Sequence, residues 1–387
     1  MPWRPALGAA LALLACSAAP VQAARPPDDP LYEFQWHLRA IGLPAAWDVS
    51  RGAGVTVAVL DSGVAYENRG PYRRAPDLAA ARLVSGYDFV DDDAHPDDVP
   101  PRSGRRSHGT QMATIIAASA GNALGGVGVA PEATIMPIRV LEPDLSGSAR
   151  DIARGLRFAA DHGADVANVS IAGPSRSRLL EQAVKYATSR GVVVVAAAGN
   201  DGAAKVSWPA AYPQVIAVGA VARDRTRAYY SNYGAALDLV GPGGAAAIVD
   251  TGRGPSDGIV SQTLKGGPAT FCFCFTASTS AAAAQVSGVA ALLIGAPGRS
   301  PAQVRALLRS SARDLGARGP DREYGAGLVQ ASSAPRGGRS STAPPRPPAS
   351  RRPVESTSNA GWLLAAAAAA ALAAVVVLRR RRRRRAT

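Results

Sequence analysis

Apolar residues along this chain fall into two kinds of run. Short continuous runs, Val55-Thr-Val-Ala-Val-Leu60 and Val192-Val-Val-Val-Ala-Ala-Ala198, have the length and β-branched content of strands buried on both faces. Longer stretches between them mix apolar and polar residues and read as helices. The expected order is strand 55–60, helix 108–118, strand 134–140, helix 148–162, strand 165–171, helix 176–190, strand 192–198 and strand 214–221. Strands alternating with helices predict an α/β fold, a mostly parallel sheet with helices on both faces. Ser300-Pro301 opens a final helix, predicted over 302–315, with serine as N-cap and proline at the first helical position. One unit of about 300 residues can bury such a core.

The pattern changes at both ends. Residues 335–359 are rich in Pro, Ser and Arg and predict an extended linker. Ala360 to Leu378 are 19 uncharged residues, followed by Arg379 to Arg385. That length suits one membrane-spanning helix over 360–378, and the basic tail, 379–387, would stay on the cytoplasmic side. A sorting tail that is cut off is the alternative. At the other end, Arg4, the apolar Ala6 to Ala15 and Val21-Gln22-Ala23 predict a signal peptide over 1–23. Leu13-Leu14-Ala15-Cys16 offers a lipoprotein reading instead, with Cys16 acylated. The folded unit is therefore expected over 24–334, entered by a short polar segment, 24–35, with no separate inhibitory prodomain.

Hydrophobic residues make up 47% and charged residues 19% of the chain, as for a globular protein. The net charge of +14 lies almost wholly outside the folded unit. Seven charges belong to Arg379 to Arg385 and five to Arg336, Arg339, Arg346, Arg351 and Arg352; allowing for Glu355 and Arg4, residues 24–333 carry about +2. A nucleic-acid binder would hold its basic patch on the folded domain, so nucleic acid is not an expected partner. Once the signal is removed, only Cys272 and Cys274 remain. They are expected as two small apolar side chains on one face of a strand, with a disulfide or redox role as the alternative.

Three segments bring the residue types of nucleophilic catalysis. Asp61 follows the apolar strand and precedes Ser62-Gly63; His108 precedes Gly109-Thr110 and opens an apolar run; Ser280 lies in a loop that leads into a small-residue helix, Ala281 to Leu293. A serine hydroxyl needs a base to take its proton, and the base needs a carboxylate to orient it and offset its charge. The other histidines lack this setting: His37 lies in the entry segment, His95 in an acidic loop and His162 at a helix end. The acidic run from Asp88 to Asp98 reads as a solvated loop, with a bound cation as the alternative.

With these segments in the order Asp, His, Ser, the chain resembles the subtilases, the subtilisin-like serine proteases, from about Asp28 to about Ala334. The resemblance implies a three-layer subtilisin-like fold and hydrolysis of peptide bonds by Asp61, His108 and Ser280 through an acyl-enzyme. It implies that Asn200, after the strand ending at Gly199, donates its amide to the oxyanion. Ser170, Ile171 and Ala172 would pair with an extended substrate, and Ala197, Ala198 and Gly199 would line a roomy apolar pocket with no charge preference. Asp29, Asp77 and Asn122 correspond to residues that hold a structural calcium ion; no cofactor is needed for the chemistry. The pattern departs from the family at Ser278 (usually Gly), Ala281, Ala284, Gln285, Gln111 and Thr114, and Ser278 puts a Cβ where glycine would permit positive φ. Signal, linker, span and basic tail together resemble the architecture of mycosins. They imply a monomeric endopeptidase on the bacterial cell membrane, its catalytic domain outside the cytoplasm and its substrates proteins or peptides. A catalytically silent scaffold is the rival reading.

Overall fold

In the computed structural model, residues 27–101, 106–245, 257–296 and 300–331 are described. The signal, linker, span and tail expected over 1–23 and 335–387 lie outside them. Among the described residues, no helix is long and apolar enough to cross a membrane.

The chain enters through two short helices, α1 (Trp36–Ala40) and α2 (Leu43–Ala46), which the polar entry segment did not announce. Strand β1 (Thr56–Asp61) then runs through the centre of the molecule. Short strands β2 (Arg82–Leu83) and β3 (Tyr87–Asp88) follow, then α3 (Gly109–Ala117), β4 (Thr134–Arg139), α4 (Ala149–Asp161) and β5 (Val166–Val169). Next come α5 (Arg178–Ser189), β6 (Val193–Ala197), β7 (Ile216–Val221) and β8 (Leu239–Pro242). An antiparallel hairpin, β9 (Ile259–Leu264) and β10 (Phe271–Thr276), leads into α6 (Thr279–Gly295) and α7 (Pro301–Ser310). Seven strands line up as β2-β4-β1-β5-β6-β7-β8 with β3 beside β4, and every pairing in this sheet is parallel.

The parallel sheet follows from burial. Strands β5 to β8 are buried at every position, as expected for apolar strands covered by helices on both faces. Helices α4 and α5 pack together on one side, and α3 and α6 on the other. The two pairs differ as their sequences require. Helix α4 buries Ile152, Leu156 and Ala159 on one stripe and is capped by Ser148, whose Oγ accepts the Asp151 N–H at 3.0 Å. Helix α6 is buried all round from Thr279 to Leu293, so its small residues let it lie in the middle of the molecule. Gly288 shows how closely: a Cβ there would come within 2.6 Å of the Val129 side chain.

The predicted elements are observed within a few residues apart from the last helix, and the short elements α1, α2, β2 and β3 were not expected. The last helix stops at Ser310, short of 315, because Arg313 pairs its main chain with Leu328. Its capping box at Ser300 and Gln303 is present. Strand β8 and the hairpin are additions. On β10, Cys272 and Cys274 form a disulfide, which corrects the expectation of two reduced cysteines. Their Cα atoms are 5.6 Å apart, inside the range a disulfide spans, because the two side chains share one face of the strand.

Candidate active site

Asp61 is the last residue of β1 and is fully buried. His108 is the N-cap residue of α3. Gly109 lets that helix begin against the strand end: a Cβ there would lie 2.0 Å from the Gly63 carbonyl oxygen. His108 Nδ1 consequently sits 2.8 and 2.9 Å from the two carboxylate oxygens of Asp61. With Nδ1–H donating to the carboxylate, the neutral ring keeps its lone pair at Nε2. Burial disfavours the imidazolium, but the Asp61 charge and hydrogen bond, with Asp98 adding to them, outweigh it and raise the His108 pKa above its ordinary value.

Ser280 is the second residue of α6 and only 5% exposed. Its hydroxyl donates to the Ser170 carbonyl at 3.3 Å, just past the end of β5. Catalytic hydrogen bonds are often long or poorly aligned until substrate binds. Asn200 follows β6 by way of Gly199, which holds φ at +110°. The Asn200 Oδ1 accepts both the N–H and the hydroxyl of Thr279, each at 2.8 Å. That fixes which way the amide faces and leaves its N–H groups to a ligand. The Ser280 N–H lies in the first turn of α6, where backbone donors have no intrahelical acceptor, and no protein acceptor takes it among the described residues.

Residues 52–327 match the subtilase family, peptidase S8. The chain belongs to the subtilase family. It is 39% identical to Subtilisin Savinase of Lederbergia lenta over 303 residues, 78% of this chain and 98% of that one. With Thermitase of Thermoactinomyces vulgaris it shares 35% over 294 residues, 76% of this chain and 94% of the relative. Among solved structures, a protease of Pseudoalteromonas arctica PAMC 21717 superposes with a TM-score of 0.70 at 34% identity, covering 80% of this chain and 98% of that one. This subtilase is accordingly a subtilisin-type serine endopeptidase with the three-layer α/β fold of the family.

The main chain of the subtilase beyond β5 is open. Ser170 is buried, Ile171 half-buried and Ala172 exposed. The N–H and C=O groups of Ile171 and Ala172 have no protein partner among the described residues. Gly173 then pairs with Trp208 in both directions. Ala198 is buried with both its main-chain groups bonded, and Gly199 lies against Asn232 and Ser207, so polar groups stand behind that wall.

Of the departures from the family pattern, Ser278 needs no positive φ. It is extended, with φ −168° and ψ 159°, and its Oγ accepts the Ala281 N–H at 3.1 Å. The Cβ is therefore harmless there, and the side chain caps the helix that carries Ser280. Gln285 is buried on α6, where its Oε1 lies 3.1 Å from Nδ1 of His37. Burial lowers the His37 pKa to about 3, although the Gln285 hydrogen bond opposes the shift, so this histidine stays neutral in the core.

Asp29, Asp77 and Asn122 come together. Asp29 accepts the N–H groups of Gly121 and Asn122 at 2.8 and 3.2 Å, and the Asn122 amide donates to Asp77 at 3.2 Å. Both carboxylates are almost fully buried, and no basic side chain pairs with either among the described residues. Burial above all, with the Asp29 charge adding to it, pushes the Asp77 carboxyl up to about 7. Two buried like charges without a counterion are costly, and oxygen donors of this kind suit calcium. The residues fit the ion. No group of three His, Cys, Asp or Glu side chains stands ready for a metal among the described residues, so loop carbonyls would supply the remaining ligands.

The acidic run does not form a solvated loop throughout. Asp88 is held by Arg139, Asp92 by Arg154 and Asp97 by Arg69. Asp98 is buried and accepts hydrogen bonds from Ser62 and Thr110. Neither Asp98 nor Thr279 stood out in the sequence. Ten residues separate Asp98 from His108, whereas Thr279 adjoins Ser280 and its contact with Asn200 could have been sought there.

Proposed function

We propose that Ser280 is the nucleophile, His108 the general base and Asp61 the carboxylate that orients it. The supporting observation is that the segments carrying these groups come together at the carboxyl ends of the adjacent parallel strands β1, β5 and β6. Asp61 ends β1 and bonds His108, the Ser280 hydroxyl donates to the Ser170 carbonyl beyond β5, and Asn200 beyond β6 accepts from Thr279. Ser280 Oγ attacks the peptide carbonyl as its proton passes to His108 Nε2, and the Nδ1–H bond to Asp61 holds the required tautomer. Asn200 and the Ser280 N–H receive the oxyanion. The protonated His108 then gives its proton to the leaving amine, and water, deprotonated by the same ring, releases the acid from Ser280. The open main chain of Ile171 and Ala172 aligns the substrate as an added strand, and Ala198 and Gly199 border the residue before the scissile bond. Asp29, Asp77 and Asn122 would hold calcium, which ties the entry segment to two loops and takes no part in the reaction.

The peptidase domain, 24–334, acts outside the cytoplasm after removal of residues 1–23, and 360–378 tether it as a monomer to a bacterial membrane through the linker 335–359. The charge asymmetry of the sequence supports this: the span ends in seven arginines, Arg379 to Arg385. The test combines fluorophosphonate labelling with fractionation of the full-length chain. Labelling should vanish in Ser280→Ala and the labelled protein should sediment with membranes. Undiminished labelling in the variant would refute the nucleophile, and labelled full-length protein in the soluble fraction would refute the tether.

A further inference from the structure

Asp98 is 1% exposed, and both carboxylate oxygens are used. Oδ1 accepts the Ser62 hydroxyl at 2.9 Å; Oδ2 accepts the Thr110 N–H at 2.9 Å and the Thr110 hydroxyl at 2.6 Å. Each partner stands close to the acid–base pair. Ser62 follows Asp61 and donates its N–H to Asp61 Oδ1 at 2.8 Å. The Ser62 Oγ also accepts the Gly109 N–H at 3.0 Å, so it touches the residue after His108. Thr110 is in the first turn of α3, and its Oγ1 accepts the Ala65 N–H at 2.9 Å. Strand end, loop and helix start thus share one closed set of hydrogen bonds centred on Asp98.

No cation neutralises that centre among the described residues. Arg69 is engaged by the neighbouring Asp97 and by Glu67, and His95 also bonds Glu67. The charges that act on the imidazole are Asp61 from β1, which bonds it, and Asp98 from the loop before α3; Ser280 from α6 gives its hydroxyl to the Ser170 carbonyl. Burial pushes the Asp98 carboxyl up to about 6 against the hydrogen bonds of Thr110 and Ser62, so it is charged from neutral pH upward. A neutral amide could satisfy most of these donors, and a carboxylate at this place needs a reason other than packing.

We propose that Asp98 is a positioning residue: it ties the strand end that carries Asp61 to the helix start that carries His108 and adds a second negative charge near the acid–base pair. The inference rests on the assignment of His108 as base. It has a signed consequence. The Asp98 charge favours the imidazolium and raises the His108 pKa, together with Asp61. Removing it makes His108 a weaker base, and the acid limb of the rate moves to lower pH.

The test follows the fluorophosphonate labelling rate of the full-length chain between about pH 5 and 9, wild type against Asp98→Asn. The expected result is an acid limb displaced downward by about half a pH unit or more, with a plateau several-fold lower. A folded Asp98→Asn protein whose limb stays in place overturns the proposal, because a merely structural aspartate would change amplitude or stability and leave the midpoint alone. Should that variant fail to fold, Ser62→Ala keeps the charge and cuts the tie to the strand end. It should label about tenfold more slowly with its limb unmoved, and a wild-type rate there overturns the proposal. Labelling that survives Ser280→Ala strikes at the triad itself and takes this proposal with it. An unmoved limb with Ser280-dependent labelling strikes at Asp98 alone.

Discussion

Single residues carry the proposed chemistry, and the clearest case is Asn200. Its Oδ1 is occupied by two donors of Thr279, so the amide N–H groups are aimed before any substrate arrives. Asn200→Ala should therefore lower kcat by about 10²–10³ with little change in KM, measured on a peptide substrate, since the interaction forms with the oxyanion. An equal loss in KM would mean that the amide binds ground state and transition state alike. Asp61, His108 and Ser280 could be read from the sequence because each sits at a local signal: a strand end, a helix start, a loop before small residues. Asp98 gave no such signal. Its partners, Ser62 and Thr110, lie 36 and 12 residues away and meet it only in the folded protein.

Among the elements, helix α6 decides how Ser280 is presented. The serine occupies the first turn, and its neighbour Ser278 caps the helix from an extended backbone. Ser278→Ala should cost about 1 kcal/mol of stability and Ser278→Gly only a few tenths, compared by denaturant unfolding. A Ser278→Gly protein more stable than the wild type would show that the Cβ at 278 is strained after all. Helices and central strands were legible because their periods are set by local geometry. The hairpin β9–β10 was not. Its ladder is local, but β9 is held from outside by Thr263 Oγ1, which donates to the Ser107 carbonyl, and by the Gln262 carbonyl, which accepts from Thr114.

At the scale of the whole molecule, the buried pair Asp29 and Asp77 joins three distant segments. A carboxyl that burial pushes up to about 7 resists ionisation in the metal-free fold. The unfolded chain ionises near pH 4, so metal-free stability falls as pH rises from there to about 7 and is level above. Calcium bound at the proposed site would reverse this by favouring the ionised form. Chelation should then lower the Tm more at pH 8 than at pH 5.5, and Asp77→Asn should abolish that difference; equal Tm losses at the two pH values in the wild type would exclude a calcium site at Asp77.

The amino-acid order alone determined the alternation of buried strands and helices, the sequence of Asp61, His108 and Ser280, and the separation of a weakly charged folded unit from a basic tail. Those features depend on period, turn chemistry and composition, which act over a few residues. Only the tertiary structure decided that Thr279 orients Asn200, that Asp98 bonds Ser62 and Thr110, that Ser278 is extended, and that Asp29 meets Asp77 and Asn122. Each of these needs groups from separate segments within hydrogen-bond distance, and that distance is set by packing across the sheet.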